Sequence, residues 1–230
     1  MQTSKYYAVK TLLENNINEL PCTDFTISKI IENYGFEIIP YNYPIGSAEN
    51  EEFKALGILS IAENYKMFTY NSSTYKLVFY RSSLSTEDRT RMLAHELGHM
   101  ILGHIASRGV RCSSDFENKS PQEQEANEFA LELLAPSCIL GKKIGITPQK
   151  ISHLTLLDTH CSKIAYISAK EHKFYTSDER RLYNMFNTVK HKRLKILLIV
   201  LLIMLLSILS VIIIFINKNT STTAFNASTN

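Results

Sequence analysis

His95-Glu96-Leu97-Gly98-His99 is the stretch on which the reading of this chain turns. It has the form H-E-x-x-H and lies where the surrounding pattern predicts a helix. On an α-helix, positions i and i+4 are about 40° apart round the axis, so His95 and His99 project from one face. Two imidazoles so placed can take two corners of a tetrahedral Zn2+ site. Glu96 then stands beside the metal and not on it, where it can act as a general base toward water. A surface helix carrying two histidines by chance would show the same five letters, so the case depends on the surrounding sequence.

Working outward, Ser85 with Asp88 three residues on approximates a capping box, and it opens a helix predicted to run through about His104. A second helix has fuller signals. Ser120-Pro121-Gln122-Glu123 offers an N-cap serine, proline at the first helical position and an acid at the third. Ala126, Phe129, Ala130, Leu133 and Leu134 follow as an apolar stripe, and Pro136 ends the helix. A catalytic zinc needs a third protein ligand and an open position. Glu123, Glu125, Glu128 and Glu132 are the candidates on this helix. Glu128 falls away from the stripe. Glu125 sits at its edge, where it can point at a neighbouring helix, and ranks first. Glu123 is also toward the packed side, but its position in the first turn gives it a capping task, so it ranks second. Asn127 reads equally as a group supporting a ligand or as helix surface. His104, about 140° round the helix from His99, reads as structural or as a supporting group.

Before this region, a helix is predicted from about Ser4 to Asn16. A second starts with Asp24 as its cap, carries Ile27, Ile30, Ile31 and Tyr34, and stops at Gly35. Residues 36–40 read as a strand and 41–52 as a loop. Residues 56–80 have β character, with runs at 57–61, 67–70 and 75–80 and a turn at Asn71-Ser72-Ser73. Later helix starts are read at Thr147-Pro148, Asp158-Thr159 and Ser177-Asp178-Glu179.

Of 230 residues, 45% are hydrophobic and 20% charged, ordinary for a folded protein; the distribution is not ordinary. Residues 196–216 carry no charge and are broken only by Ser207 and Ser210. As a helix they would span about 32 Å, enough to cross a hydrocarbon core. Lys190, Lys192, Arg193 and Lys195 precede the run and Lys218 follows it, so the positive-inside rule places the large N-terminal part in the cytoplasm and the tail outside. Setting these five aside leaves 20 basic against 22 acidic residues. The remainder has no basic excess, and direct nucleic-acid binding is not expected. Residues 1–16 contain no apolar core of a signal peptide. Cys22, Cys112, Cys138 and Cys161 lack paired spacing and read as free thiols.

His95-Glu-Leu-Gly-His99, followed by Gln124-Glu-Ala-Asn-Glu-Phe-Ala130 and Leu133-Leu-Ala-Pro136, resembles the ImmA/IrrE family of zinc metallopeptidases. The likeness runs from about Tyr75 to Pro136, with Ala135 where the family commonly has Met. It implies an α+β, zincin-like domain with a small mixed sheet and an active-site helix. It also implies one zinc ion on His95, His99 and Glu125, with Glu96 as general base and acid. The strand Leu77–Arg81 resembles the edge strand on which zincins lay an extended substrate. Soluble relatives cleave helix-turn-helix repressors, so the resemblance implies a protein substrate, such as a DNA-binding repressor. The apolar run at 196–216, which departs from those soluble relatives, adds membrane lipid as a partner. The expected organisation is a metallopeptidase domain over 1–140, a helical segment over 141–193, a transmembrane helix over 194–216 and a short external tail over 217–230. The expected activity is that of a membrane-anchored zinc endopeptidase. The competing reading is a membrane-tethered module that keeps the fold and binds a regulator without turnover. Retention of Glu96 between the two histidines favours the enzyme, because binding alone needs no base.

Overall fold

The computed structural model describes residues 3–105, 109–112, 120–173 and 175–227. Capping residues account for most of the helix starts. Thr3, Thr23, Ser85, Ser120, Thr147 and Asp158 each accept a backbone N–H of the first turn through a side-chain oxygen, which satisfies donors the helix itself leaves unpaired. The elements run α1 (Ser4–Glu14), α2 (Asp24–Asn33), β1 (Glu37–Tyr41), α3 (Ser47–Ala55), α4 (Leu59–Asn64), β2 (Met67–Asn71) and β3 (Lys76–Arg81). Then come α5 (Thr86–Ile101), β4 (Gly109–Cys112), α6 (Pro121–Leu134), α7 (Ser137–Leu140), α8 (Pro148–Thr155), α9 (Thr159–Glu171) and α10 (Ser177–Ala227). The chain divides into two compact units, Met1–Asn184 and Met185–Asn230.

The first unit is α+β. Its sheet has the order β1-β3-β2-β4, with β1 parallel to β3 and the other pairs antiparallel. Strand alternation gives the sheet two different faces. Phe68, Leu77 and Phe79 pack with Tyr41, Phe53, Ile58 and Ala62, and the Phe68 and Phe79 rings stack at 5.0 Å between centroids. Thr69 and Val78, opposite each other in the register, belong to the other face, where Thr69 meets α5. Helix α5 packs on α2 and α6, and α6 packs on α1. Leu93, Ala94 and Leu97 of α5 and Ala126, Phe129, Ala130 and Leu133 of α6 are buried. Each large apolar side chain so buried contributes about 1.5–3 kcal/mol.

Several sequence expectations change. Helix α2 is capped by Thr23, while Asp24 enters the first turn and pairs with Arg89 of α5. Residues 47–55 form a helix where a loop was expected, and 59–64 form another where β structure was expected. Ile58 and Ala62, four residues apart and both buried, give the second of these its inward face. Helix α5 ends at Ile101, short of His104. Leu77–Arg81 is not an edge: β3 is flanked by β1 and β2, and β4, unforeseen in the sequence, lies outside β2. Among the described residues the sheet edges are therefore β1 and β4.

Helix α10 is the one helix among the described residues that is long and apolar enough to cross a membrane, with a mean hydropathy of 2.5 in a window within Ser177–Ser210. The helix continues to Ala227, and residues 228–230 of the expected tail lie outside the described residues.

Candidate metal centre

The centre is built where α5 and α6 cross. Gly98 makes the close crossing possible. A Cβ there would stand 3.0 Å from Phe129 Cδ1, 3.1 Å from the Ala126 carbonyl oxygen and 3.2 Å from Ala126 Cα. Hydrogen at that position lets the two backbones approach, so residues within one turn of the crossing on each helix face one another across a short gap. On α5 these are His95 and His99, and on α6 the facing residue is Glu123.

His95 Nε2 and His99 Nε2 are 3.0 Å apart. Glu123 Oε2 is 3.1 Å from His95 Nε2, and its Oε1 is 3.4 Å from His99 Nε2. A tetrahedral zinc with bonds near 2.0–2.1 Å would hold its ligand atoms about 3.3 Å apart, which is the spacing found here. All three residues are buried. Three electron-pair donors facing one another out of water are unfavourable unless a cation or protons lie among them. The donor set of two imidazoles and one carboxylate suits a borderline cation. His95, His99 and Glu123 thus form a group able to hold a metal ion.

Groups around the centre fix its members. Asn127 Oδ1 is 2.8 Å from His95 Nδ1; with the amide oxygen accepting, Nδ1 carries the proton and Nε2 keeps its lone pair toward the centre. The Thr69 hydroxyl donates to Glu96 Oε2 at 2.6 Å, and the Glu96 side chain is fully buried beside the histidines. His99 Nδ1 is 3.0 Å from His104 Nδ1, and His104 Nε2 is 3.0 Å from Glu125 Oε2.

The sequence ranking of third ligands is corrected here. Glu125, ranked first, stands against His104 with 43% of its side chain exposed, whereas Glu123, ranked second, faces both imidazoles. The physical reason is that capping occupies only the backbone of Glu123. Its N–H is accepted by Ser120 Oγ at 3.3 Å, while the carboxylate turns inward between the rows of Ala130 and Leu134. Glu128 accepts from the Ser4 hydroxyl of α1. Glu132 accepts from Ser137 N and Ser137 Oγ at 2.7 and 2.8 Å. Burial pushes the Glu132 carboxyl up to about 7, against the lowering effect of those two hydrogen bonds. Thr69 escaped the sequence reading; the available signal was a hydroxyl residue alternating with Phe68 and Tyr70 in a half-buried strand.

His172 makes its contacts elsewhere, at the α7–α10 region of the first unit, 3.3 Å from Ser137 Oγ and 3.4 Å from Glu179 Oε1. Cys22, Cys138 and Cys161 are free and buried, and burial pushes the Cys22 and Cys161 thiols up to about 12. Such thiols are inert as nucleophiles at neutral pH. The side chain of Cys112 lies outside the described residues.

Comparison with known proteins bears on residues that include the centre. The family described as Peptidase_M78, IrrE N-terminal-like domain, matches residues 55–144. A solved structure of a Mycobacterium tuberculosis transcriptional regulator is similar over 74% of this chain and 48% of that one, at 11% identity and a TM-score of 0.44. This chain therefore spans about half the length of that regulator. No curated protein matches.

Proposed function

We propose that this chain, whose residues 55–144 match the Peptidase_M78, IrrE N-terminal-like family, is a zinc-dependent endopeptidase anchored at the cytoplasmic face of a membrane. The observation that carries the reading is the convergence of His95 Nε2, His99 Nε2 and a Glu123 carboxylate oxygen at 3.0–3.4 Å, with Glu96 buried alongside. These three residues would hold the ion. A bound zinc supplies a Lewis acid that polarises a carbonyl and makes water more acidic. Glu96 takes the proton of the attacking water and later delivers it to the leaving amine. Thr69 holds the carboxylate of Glu96 through the bond to Oε2, so the base meets the reaction in one orientation. Strand β4 borders β2, which carries Thr69, and the outer edge of β4 suits an extended substrate bound by strand addition.

The substrate class that fits the family likeness is a regulatory protein such as a helix-turn-helix repressor. Helix α10 would anchor the enzyme, with Lys190, Lys192, Arg193 and Lys195 at the inner membrane surface. On this reading, residues 1–140 are the catalytic domain, 141–193 a helical segment, 194–216 the span and 217–230 the outer tail.

The test uses the full chain in detergent, with zinc content and hydrolysis of an unstructured protein such as casein as readouts. Wild type should hold one zinc and cleave. Glu123→Ala should lose the metal, and Glu96→Gln should keep it while losing turnover. A wild-type protein that takes no zinc would refute the reading. Undiminished cleavage by Glu96→Gln would remove Glu96 from its role.

A further inference from the structure

Helix α5 does not simply stop before His104; it turns the chain back onto itself. Leu102 caps the helix and Gly103 follows with φ +75°. The N–H of His104 then reaches the carbonyl of His99 at 2.9 Å, and that of Gly103 reaches Met100 at 3.4 Å. This is the Schellman arrangement, which sets the residue after the glycine beside the residue five positions earlier. An apolar pair usually fills that contact, but here it is two imidazoles. Their Nδ1 atoms are 3.0 Å apart, and the far nitrogen of His104 meets Glu125 of α6 at 3.0 Å. His104 is 8% exposed at its side chain and Glu125 43%, so the chain of contacts runs from the buried centre to the surface.

We propose that His104 and Glu125 act as one positioning relay for His99, a role that rests on the zinc reading of the centre. The argument is one of proton count. To ligate through Nε2, a neutral His99 must carry its proton on Nδ1. That N–H points at His104 Nδ1, which must accept, so the proton of His104 sits on Nε2. There it donates to Glu125, and an ionised carboxylate can only accept. Every link has one proton and one lone pair. Without Glu125, His104 is free to place its proton on Nδ1. Two N–H groups would then face each other, and relieving that conflict moves the His99 proton to Nε2, the position needed for the metal. At His95 the corresponding nitrogen, Nδ1, meets the Asn127 amide oxygen at 2.8 Å instead. Glu125 thus governs which nitrogen of His99 is available without itself touching the ion.

The experiment measures the zinc affinity of the full chain by competition with a chelator, with the Co2+ absorption spectrum as a second readout and apo-protein melting as a folding control. Removing a group that orients a metal-bound histidine typically costs about 10–100-fold in affinity. His104→Ala should weaken zinc binding by about that much and alter the cobalt bands, with the stoichiometry kept at one. Glu125→Ala should shift both readouts in the same direction by a smaller amount. The double variant should bind no more weakly than His104→Ala, because the second change removes nothing once the link is gone. His104→Asn places an amide oxygen near the position of Nδ1. It should recover much of the affinity and make it insensitive to Glu125→Ala. Unchanged affinity and spectrum in His104→Ala would overturn the relay while leaving the zinc reading intact. Equal losses from Glu125→Ala with and without His104 would also overturn it. Loss of the whole zinc equivalent in Glu125→Ala would make Glu125 a ligand, again overturning the relay. A wild-type protein without zinc affinity would instead overturn the zinc reading and the relay with it.

Discussion

Replacing Gly98 by alanine tests whether the α5–α6 crossing sets the geometry of the centre. The added methyl would meet Phe129 Cδ1 at 3.0 Å, the Ala126 carbonyl oxygen at 3.1 Å and Ala126 Cα at 3.2 Å, where ordinary contact begins at 3.4 Å. The shortfalls are thus about 0.2–0.4 Å. A phenyl ring can swing aside, but two of the three atoms are backbone, so α6 must move as a rod. In the fold as a whole, two effects nearly offset. Alanine in place of glycine favours a helix by about 1 kcal/mol. Overpacking costs about 1–3 kcal/mol. The net loss is then about 0–2 kcal/mol, a fall in Tm of no more than about 8 °C for a chain of this size.

The centre is less forgiving. Glu123 is one turn from Ala126 on the same rigid helix, and metal–ligand distances tolerate only about 0.2 Å. A displacement of this size should therefore weaken zinc binding by about tenfold or more, or about 1.4 kcal/mol. Chelator competition reads the affinity, and calorimetry of the metal-free protein reads the fold. The expected signature is a fall in zinc affinity larger than the fall in apo stability. An unchanged affinity together with an equal or higher apo Tm would show that Gly98 does not set the helix spacing, and the reasoning would fail.

Thr69→Val removes the hydroxyl that holds Glu96 but keeps the shape of the side chain; kcat for protein hydrolysis should fall about tenfold or more while zinc content stays at one, and loss of zinc instead would give Thr69 a different role. Glu132 holds its proton up to about 7 in the folded chain against an ordinary value of 4.5, so the folded state binds the extra proton. Its stabilising contribution is complete below 4.5, declines as pH rises and is gone above 7, an interval carrying at most about 3 kcal/mol. Denaturant titrations should show that Glu132→Gln flattens this slope relative to wild type, and identical slopes would contradict it. Full-length protein should stay in the membrane fraction through alkaline wash, and a chain stopped near Val189 should not; equal partitioning of the two would remove α10 as an anchor.

Local chemistry was legible in the sequence. The caps Ser85 and Ser120 place the starts of α5 and α6, and the stripe from Ala126 to Leu134 with Pro136 places the end of α6 within a residue or two. What stayed hidden depended on distant partners. The pairing of β1 with β3 joins residues about 40 positions apart, and it turns an expected edge strand into an internal one. Residues 47–64 carry short apolar runs that suit either a strand or a helix until their neighbours are known. His104 was placed by continuing a helix that Leu102-Gly103 in fact ends, although glycine at that position is a recognised stop. Glu123 was demoted for a capping task that uses its backbone and not its side chain. On the helical wheel it lies about 60° from Ala126, between Ala130 at about 40° and Leu134 at about 80°, so the inward direction was already in the pattern.

That wheel also explains why so much of the centre comes from one short stretch of α6. Glu123 and Asn127 are a turn apart on one side of the stripe, while Glu125 projects from the other side at about −100°. The helix crosses the α5 histidines at Ala126. It therefore presents a carboxylate to both Nε2 atoms, an amide to the outer nitrogen of His95 and, through His104, a second carboxylate toward the outer nitrogen of His99. Three polar residues alternating in sequence reach three points round one site. A strand would send all three to the same face, and a helix packed without Gly98 would hold them too far off. One register therefore satisfies all of these contacts at once. A shift of α6 by one residue, about 1.5 Å and 100°, would break them together. The buried Phe129 and Leu133 hold that register by packing, and Ser120 holds it at the helix start. Apolar core and polar centre are thus specified by the same turn-by-turn pattern.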